Sequence, residues 1–267
     1  MTDTFTFPTL PRDLPAGRVI RVEDAQGPAG GREVLWVSEH PCTGAGELWS
    51  RLYEQRTATG LYPLLLDYLE PDPGPDADGE ARPWHSAELA EFRYASVGMI
   101  DALDPAEVLR GMWPMADDDE IPGSDAPHDW PGLADSGTAG TDPGAAAGEL
   151  AYRLDGDEPR LIGLVPAGSG ADALTVCGWE GPLNHTNFTE EISVVVRSWE
   201  QRFGVRVVMV GFDTLHLSVA SPPASDEHAR QVAAEHMAFC PDNFDSGTFD
   251  AYAKSLIGLG TWNFWWD

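Results

Sequence analysis

Ile192, Val195, Val196, Trp199 and Phe203 recur at i, i+3, i+4, i+7 and i+11, one clean apolar face of a helix. Gly204 follows where a C′ glycine ends such a helix. Val205 to Phe212 reads as a strand, Asp213-Thr214 as a turn, and Leu215 to Val219 alternates like a half-buried antiparallel strand. Ser225 is placed to cap the next helix, with Asp226 and Glu227 in its first turn to complement the helix dipole. Phe249, Tyr252, Ala253 and Leu256 mark a further helix, and the aromatic run Trp262 to Trp266 a final strand. With Leu161 to Val165 as the opening strand, the order is strand, helix, strand, strand, helix, helix, strand. It predicts an α+β fold: a mixed or antiparallel sheet with helices packed on it, broadly ferredoxin-like.

The preceding chain divides less sharply. Residues 1–113 read as an N-terminal α/β region, 114–159 as an acidic Pro/Gly-rich loop with a short helix, and 160–267 as the C-terminal domain. Arg18 to Val22 and Val34 to Val37 are strand-like, joined by Gly-rich residues 27–31. Residues 45–57 are helical, with Leu48, Trp49, Leu52 and Tyr53 on one side; Gly60 punctuates before the strand Leu61 to Leu66. Pro63 belongs at that strand's start or on an edge, because it has no N–H for a ladder. The helix, Gly, strand order around Trp49 resembles that around Trp199 and suggests a duplicated unit, although no sequence period accompanies it. Residues 71–83 form a Pro/Gly/Asp loop in which Asp76 to Glu80 shares only part of the spacing of a calcium loop. Asp104-Pro105 is a good helix start, Asp as cap and Pro in the first turn.

Charge narrows the function classes. The net charge is −28. Residues 161–267 hold 13 acids and 5 bases, and the rest of the chain holds 31 acids and 11 bases. Direct nucleic-acid binding is disfavoured, since phosphate contacts need clustered Lys and Arg. A basic protein would be attracted, although acidity also serves solubility. The three cysteines, Cys42, Cys177 and Cys240, stand far apart without a CxxC pair, so a disulfide framework or zinc ribbon is not expected and a reduced compartment fits best. No apolar run reaches a membrane span, and Met1 to Thr4 shows no basic region of an export signal. A cytoplasmic protein is expected, with no membrane partner. No P-loop, GxGxxG, HExxH or GxSxG occurs, so no cofactor is expected.

A set of motifs goes further. Gly178-Trp179 with Asn184, Trp199-Glu200 leading to Phe203-Gly204, Pro222-Pro223, Ala234-Glu235-His236, Cys240-Pro241-Asp242 and Phe264-Trp265-Trp266-Asp267 occur in that order. This combination resembles the bacterial family called domain of unknown function 4253, over roughly residues 160–267. The resemblance implies a shared fold unit and shared positions, but no activity. The chain departs from it at Glu180 to Thr186, where many members carry a Gly-Gly-Trp-Asn-x-Cys-Pro run. It departs again at Asp245-Ser246-Gly247, where many carry Asp-Gln-Gly.

Candidate chemistry gathers in the same segment. His236 and Cys240 are four apart and share a helix face with Ala229, Val232 and Ala233. They read most simply as a core histidine beside a core cysteine. A thiolate–imidazole pair oriented by Asp242 is the sharper reading, and a metal site completed by Cys177 or His185 a third. One His and one Cys on a helix do not specify a metal, and none is assigned. Glu200 and Glu235 lie beside apolar faces. They serve either as general acid and base in one cleft or in surface salt bridges to Arg197, Arg202 or Arg230. Trp179, Asn184 and Trp199 are candidate ligand contacts, with capping of the helix at residue 187 the plainer role for Asn184.

Trp262, Phe264 and Trp266 alternate to one side, as core aromatics or as a stacking platform, with Trp265 on the other. The pattern predicts a paired strand within the sheet and a covered Trp265. The best functional expectation is a non-catalytic acidic binding protein acting on another, basic protein, in an immunity-like or regulatory role. The alternative is an enzyme or small-molecule binder with its site around Trp199, Glu200, Glu235, His236 and Cys240.

Overall fold

The computed structural model describes residues 7–22, 31–67, 96–114, 125–138, 140–244 and 247–267. The partial calcium-loop spacing at Asp76 to Glu80, most of the Gly-rich turn at 27–31 and the acid run Asp117 to Glu120 lie outside them. Seven strands form one mixed sheet: β1 (Gly17–Val22), β2 (Arg32–Ser38), β3 (Tyr62–Leu66), β4 (Leu161–Val165), β5 (Arg206–Val210), β6 (Thr214–Ser218) and β7 (Thr261–Trp265), in the order β1-β2-β4-β3-β5-β6-β7. Only β3 and β5 run parallel, pairing Leu65 with Met209 and Leu66 with Val210. The α+β fold is as the residue pattern predicts.

The strand order departs from a ferredoxin-like sheet. β3, from the N-terminal half, lies between β4 and β5, so residues 160–267 do not close a continuous sheet alone. Every residue of β3 and β4 is buried, which requires cover on both faces. Pro63 sits in this central strand, but near its start, before the pairing with β5 at Leu65 and Leu66 begins. The helices are α1 (Ala45–Thr59), α2 (Val97–Asp101), α3 (Pro105–Met112), α4 (Pro143–Asp157), α5 (Gly170–Cys177), α6 (Thr189–Phe203), α7 (Asp226–Phe239) and α8 (Phe249–Ser255). α1 packs with α4 and α5 with α6, and both pairs reach β3. Among these, α5 is an addition to the predicted order; Ser169 caps it by accepting from the Asp172 N–H.

Local signals set the boundaries. Asp104 accepts from the Ala106 and Glu107 N–H groups at the start of α3. Ser225 accepts from the His228 N–H at the start of α7. Gly204 ends α6 at φ 62°, a left-handed conformation that glycine adopts without a Cβ penalty.

β7 is an edge strand, paired on one side with β6. Trp262, Phe264 and Trp266 are buried against α6 and α7, as their alternation predicts. Trp265 is not covered: it is 44% exposed, and its indole donates to Asp213. Trp265 shares the exposed face of β7 with Asn263, opposite the buried Trp262 and Phe264.

Candidate functional site

Glu235 is completely buried, and each of its carboxylate oxygens accepts two hydrogen bonds. Oε1 takes the Ala134 N–H and Arg202 Nη1, both at 2.7 Å. Oε2 takes Trp199 Nε1 at 2.7 Å and Arg202 Nη2 at 2.6 Å. Arg202 also donates to the Ala134 carbonyl and to Ser198 Oγ. α6 brings Trp199 and Arg202 to Glu235 on α7, and the Arg202–Glu235 pair ties both helices to Ala134. A buried charge needs this degree of compensation. With four donors in place, the carboxylate has no lone pair left over for a substrate proton. The expected surface salt bridge is therefore a buried one.

His236 is sealed among rings. Trp262, Phe264, Trp199 and Tyr252 surround it with centroids 4.5 to 5.9 Å away. Its Nδ1 meets the Tyr252 hydroxyl at 3.0 Å, while its Nε2 and the Trp262 Nε1 have no hydrogen-bond partner. Burial drives the imidazole pKa down to about 3, so the ring is neutral in the fold. Cys240 does not pair with it. The Cys240 thiol donates to the Trp265 carbonyl at 3.0 Å, and burial pushes its pKa up to about 12. Cys177 is likewise buried, with its thiol pushed to about 12 chiefly by desolvation. These are thiols, not thiolates.

Glu200 lies apart from this set. Burial raises its carboxyl to about 7, against the lowering effect of Arg206 and of N–H groups at the start of α5. Arg206 in turn donates to the Tyr53 hydroxyl. Trp179 is buried, its Nε1 donating to the Gly211 carbonyl, its ring edge-on to Trp266. Asn184 is exposed in a turn and does not cap the helix. α6 begins at Thr189, and Thr186 organises its start by accepting from the Phe188 N–H and donating to Glu191. The turn residues 181–185 delay the helix, so the candidate cap at Asn184 falls too early.

Asp242 is the one candidate that meets an accessible partner. Its Oδ2 pairs with His185 Nε2 at 2.9 Å and accepts the Asp267 N–H. His185 lines a surface groove of about 760 Å³ between α2–α3 and the 185–191 segment. Leu103, Val108, Met112 and Phe188 give the groove its apolar surface, with Asp104, Glu107 and Glu191 among the lining residues. Among the described residues that line it there is no Lys or Arg.

Trp199, Glu235 and His236 thus come together in the interior, Cys240 sits at the edge of β7, Asp242 reaches the groove through His185, and Glu200, Trp179 and Asn184 stand elsewhere. No group of three or more His, Cys, Asp or Glu placed to hold a metal is found among the described residues. No helix among them is long and apolar enough to cross a membrane. The groove was not legible in the chain, since its walls come from segments about seventy residues apart. The local signal was the apolar pair Leu183 and Phe188 bracketing a polar turn; both are about half exposed, at 49% and 46%.

Residues 161–267 match the model of the family described as Domain of unknown function (DUF4253), where the motif resemblance placed it. No curated protein and no solved structure matches the chain.

Proposed function

We propose that this is a non-catalytic, acidic, cytoplasmic binding protein that acts on a basic protein partner, in an immunity-like or regulatory role. The observation that carries the reading is the fate of the reactive inventory. The Glu235 carboxylate is saturated with donors, the His236 imidazole is enclosed by rings and the Cys240 thiol is spent on a backbone carbonyl. What is left to meet a partner is a chain of net charge −28, whose long-range field favours a cationic surface. The test is capture of partners by the tagged full chain from lysate of its host. A basic protein retained at low ionic strength and released at high supports the reading. Recovery of nothing specific at low ionic strength contradicts it.

One observation favours a second reading, a small-molecule site. The Asp242–His185 pair stands at the groove, and a carboxylate that orients an imidazole is the arrangement of a general base. A small-molecule ligand that binds the wild type and binds His185→Gln much more weakly supports that reading.

A further inference from the structure

We infer that the groove between α3 and the 185–191 segment is the docking face for the partner, and that its occupant is a basic, amphipathic segment of that partner. The inference rests on the proposed binding function and deepens it by naming the surface and the chemistry it accepts.

The groove combines two features that a cationic amphipathic segment needs together. Its apolar side is built from Leu103, Val108 and Met112, half-buried against the core, and from Phe188, which is about half exposed, at 46%. A half-exposed aromatic residue beside partly buried aliphatic groups is where apolar anchors dock, at the i, i+3, i+4 spacing of a helix or as single side chains. Its polar side is acidic. Asp104 and Glu107 stand at the start of α3 and Glu191 in the first turn of α6; Arg110, outside the lining, pairs with Glu107, so the rim keeps more carboxylates than cations. The volume, about 760 Å³, is that of a ligand-sized site. A second cavity among the described residues, about 520 Å³, is lined by Arg56 and Arg206 together with Glu54 and Asp142, so its lining is balanced in charge. Charge complementarity therefore favours the groove over this second cavity. Buried apolar anchors supply affinity there, while the acidic rim supplies rate and orientation.

The test uses the full chain and a fluorescently labelled synthetic peptide with leucines at i, i+3, i+4 and i+7 and lysines elsewhere. A control peptide carries glutamates in place of the lysines. Phe188→Asp is the informative variant. Phe188 occupies the N-cap of α6 with no side-chain cap bond, and aspartate is a preferred N-cap residue, so the variant removes the ring without weakening the helix start. The expected result is binding of the lysine peptide alone, weakened about tenfold or more in Phe188→Asp at unchanged melting temperature. Glu107→Lys should weaken it at low ionic strength and little at high. Absence of binding to the wild type, or equal binding to wild type and Phe188→Asp, overturns the inference. The two failures separate in partner capture. If Phe188→Asp retains a basic partner as well as the wild type does, the groove assignment falls and the binding function stands. If neither chain retains one, the function itself falls.

Discussion

Asn243 lies along the outer edge of Trp265 much as a neighbouring strand would. Its amide nitrogen donates to the Asn263 carbonyl at 2.8 Å and its carbonyl oxygen faces the Trp265 N–H at 3.4 Å. Cys240, three residues earlier, donates to the Trp265 carbonyl. Together the two side chains cover backbone groups that an edge strand would leave open for pairing with another chain. The turn after α7 is therefore a plug for the sheet edge, which gives the Cys-Pro-Asp motif a structural use.

Replacing Asn243 by Ala removes the cover from both backbone groups. The expected loss is about 1–2 kcal/mol in urea denaturation, with increased self-association on mild heating. Unchanged stability and unchanged light scattering would show that the edge needs no plug.

The thiols differ in access. Cys42 is partly exposed, while Cys177 and Cys240 are buried with their pKa values raised to about 12. Alkylation of the native protein at neutral pH, read by mass spectrometry, should modify Cys42 and spare the other two until the protein unfolds. Rapid native labelling of Cys240 would contradict its place against β7.

Two buried groups give stability opposite slopes with pH. Glu200 carries a pKa raised from 4.5 to about 7, so the folded state holds its proton longer than the unfolded state. Stability contributed by that group falls as pH rises from about 4.5 to about 7. His236 carries a pKa lowered from 6.5 to about 3, so the unfolded state takes up the proton first and stability falls as pH drops from about 6.5 to about 3. Glu200→Gln should therefore stabilise the protein above about pH 7, by an amount on the order of 2–3 kcal/mol, and have little effect near pH 4. Destabilisation of that variant at high pH would mean that the ionised carboxylate is held by Arg206 in the fold.

Deletion of residues 262–267 removes three buried aromatic side chains, Trp262, Phe264 and Trp266, each contributing about 2–3 kcal/mol. The summed loss, before the β6–β7 backbone pairing is counted, is comparable to the ~5–15 kcal/mol by which a typical domain is stable, so an insoluble or unfolded chain is expected. A truncated protein that stays soluble with the same cooperative melting would show that β7 is a detachable segment.

How far the chain reveals its fold follows from the range of the forces involved. α6 was readable because Ile192, Val195, Val196, Trp199 and Phe203 repeat at the helical period. α5 was not, because Gly170, Ala171 and Ala173 to Cys177 are all buried, and a helix buried nearly all round has no polar face to set a period. The insertion of β3 between β4 and β5 joins Leu65 to Met209, a pairing that no local pattern encodes. The same limit applies to the candidate site. His236 and Cys240 were expected on one helix face, but α7 ends at Phe239 and Cys240 is its non-helical cap; their partners, Tyr252 and Trp265, come from later elements and decide what each side chain does. Glu235 was recognisable as a charged residue beside an apolar face; its saturation by Ala134, Trp199 and Arg202 required the folded arrangement.

On the proposed reading this buried polar set is scaffold and the partner binds elsewhere. A double-mutant cycle on Arg202→Met and Glu235→Gln, read by denaturation and by partner capture per folded molecule, tests it most directly. A scaffold predicts single-variant losses of about 3–5 kcal/mol, a coupling of about 1–3 kcal/mol, and undiminished capture by the fraction that folds. Near-normal stability in Glu235→Gln, combined with lost capture or lost turnover of a small molecule, would contradict it and make Glu235 part of the working site.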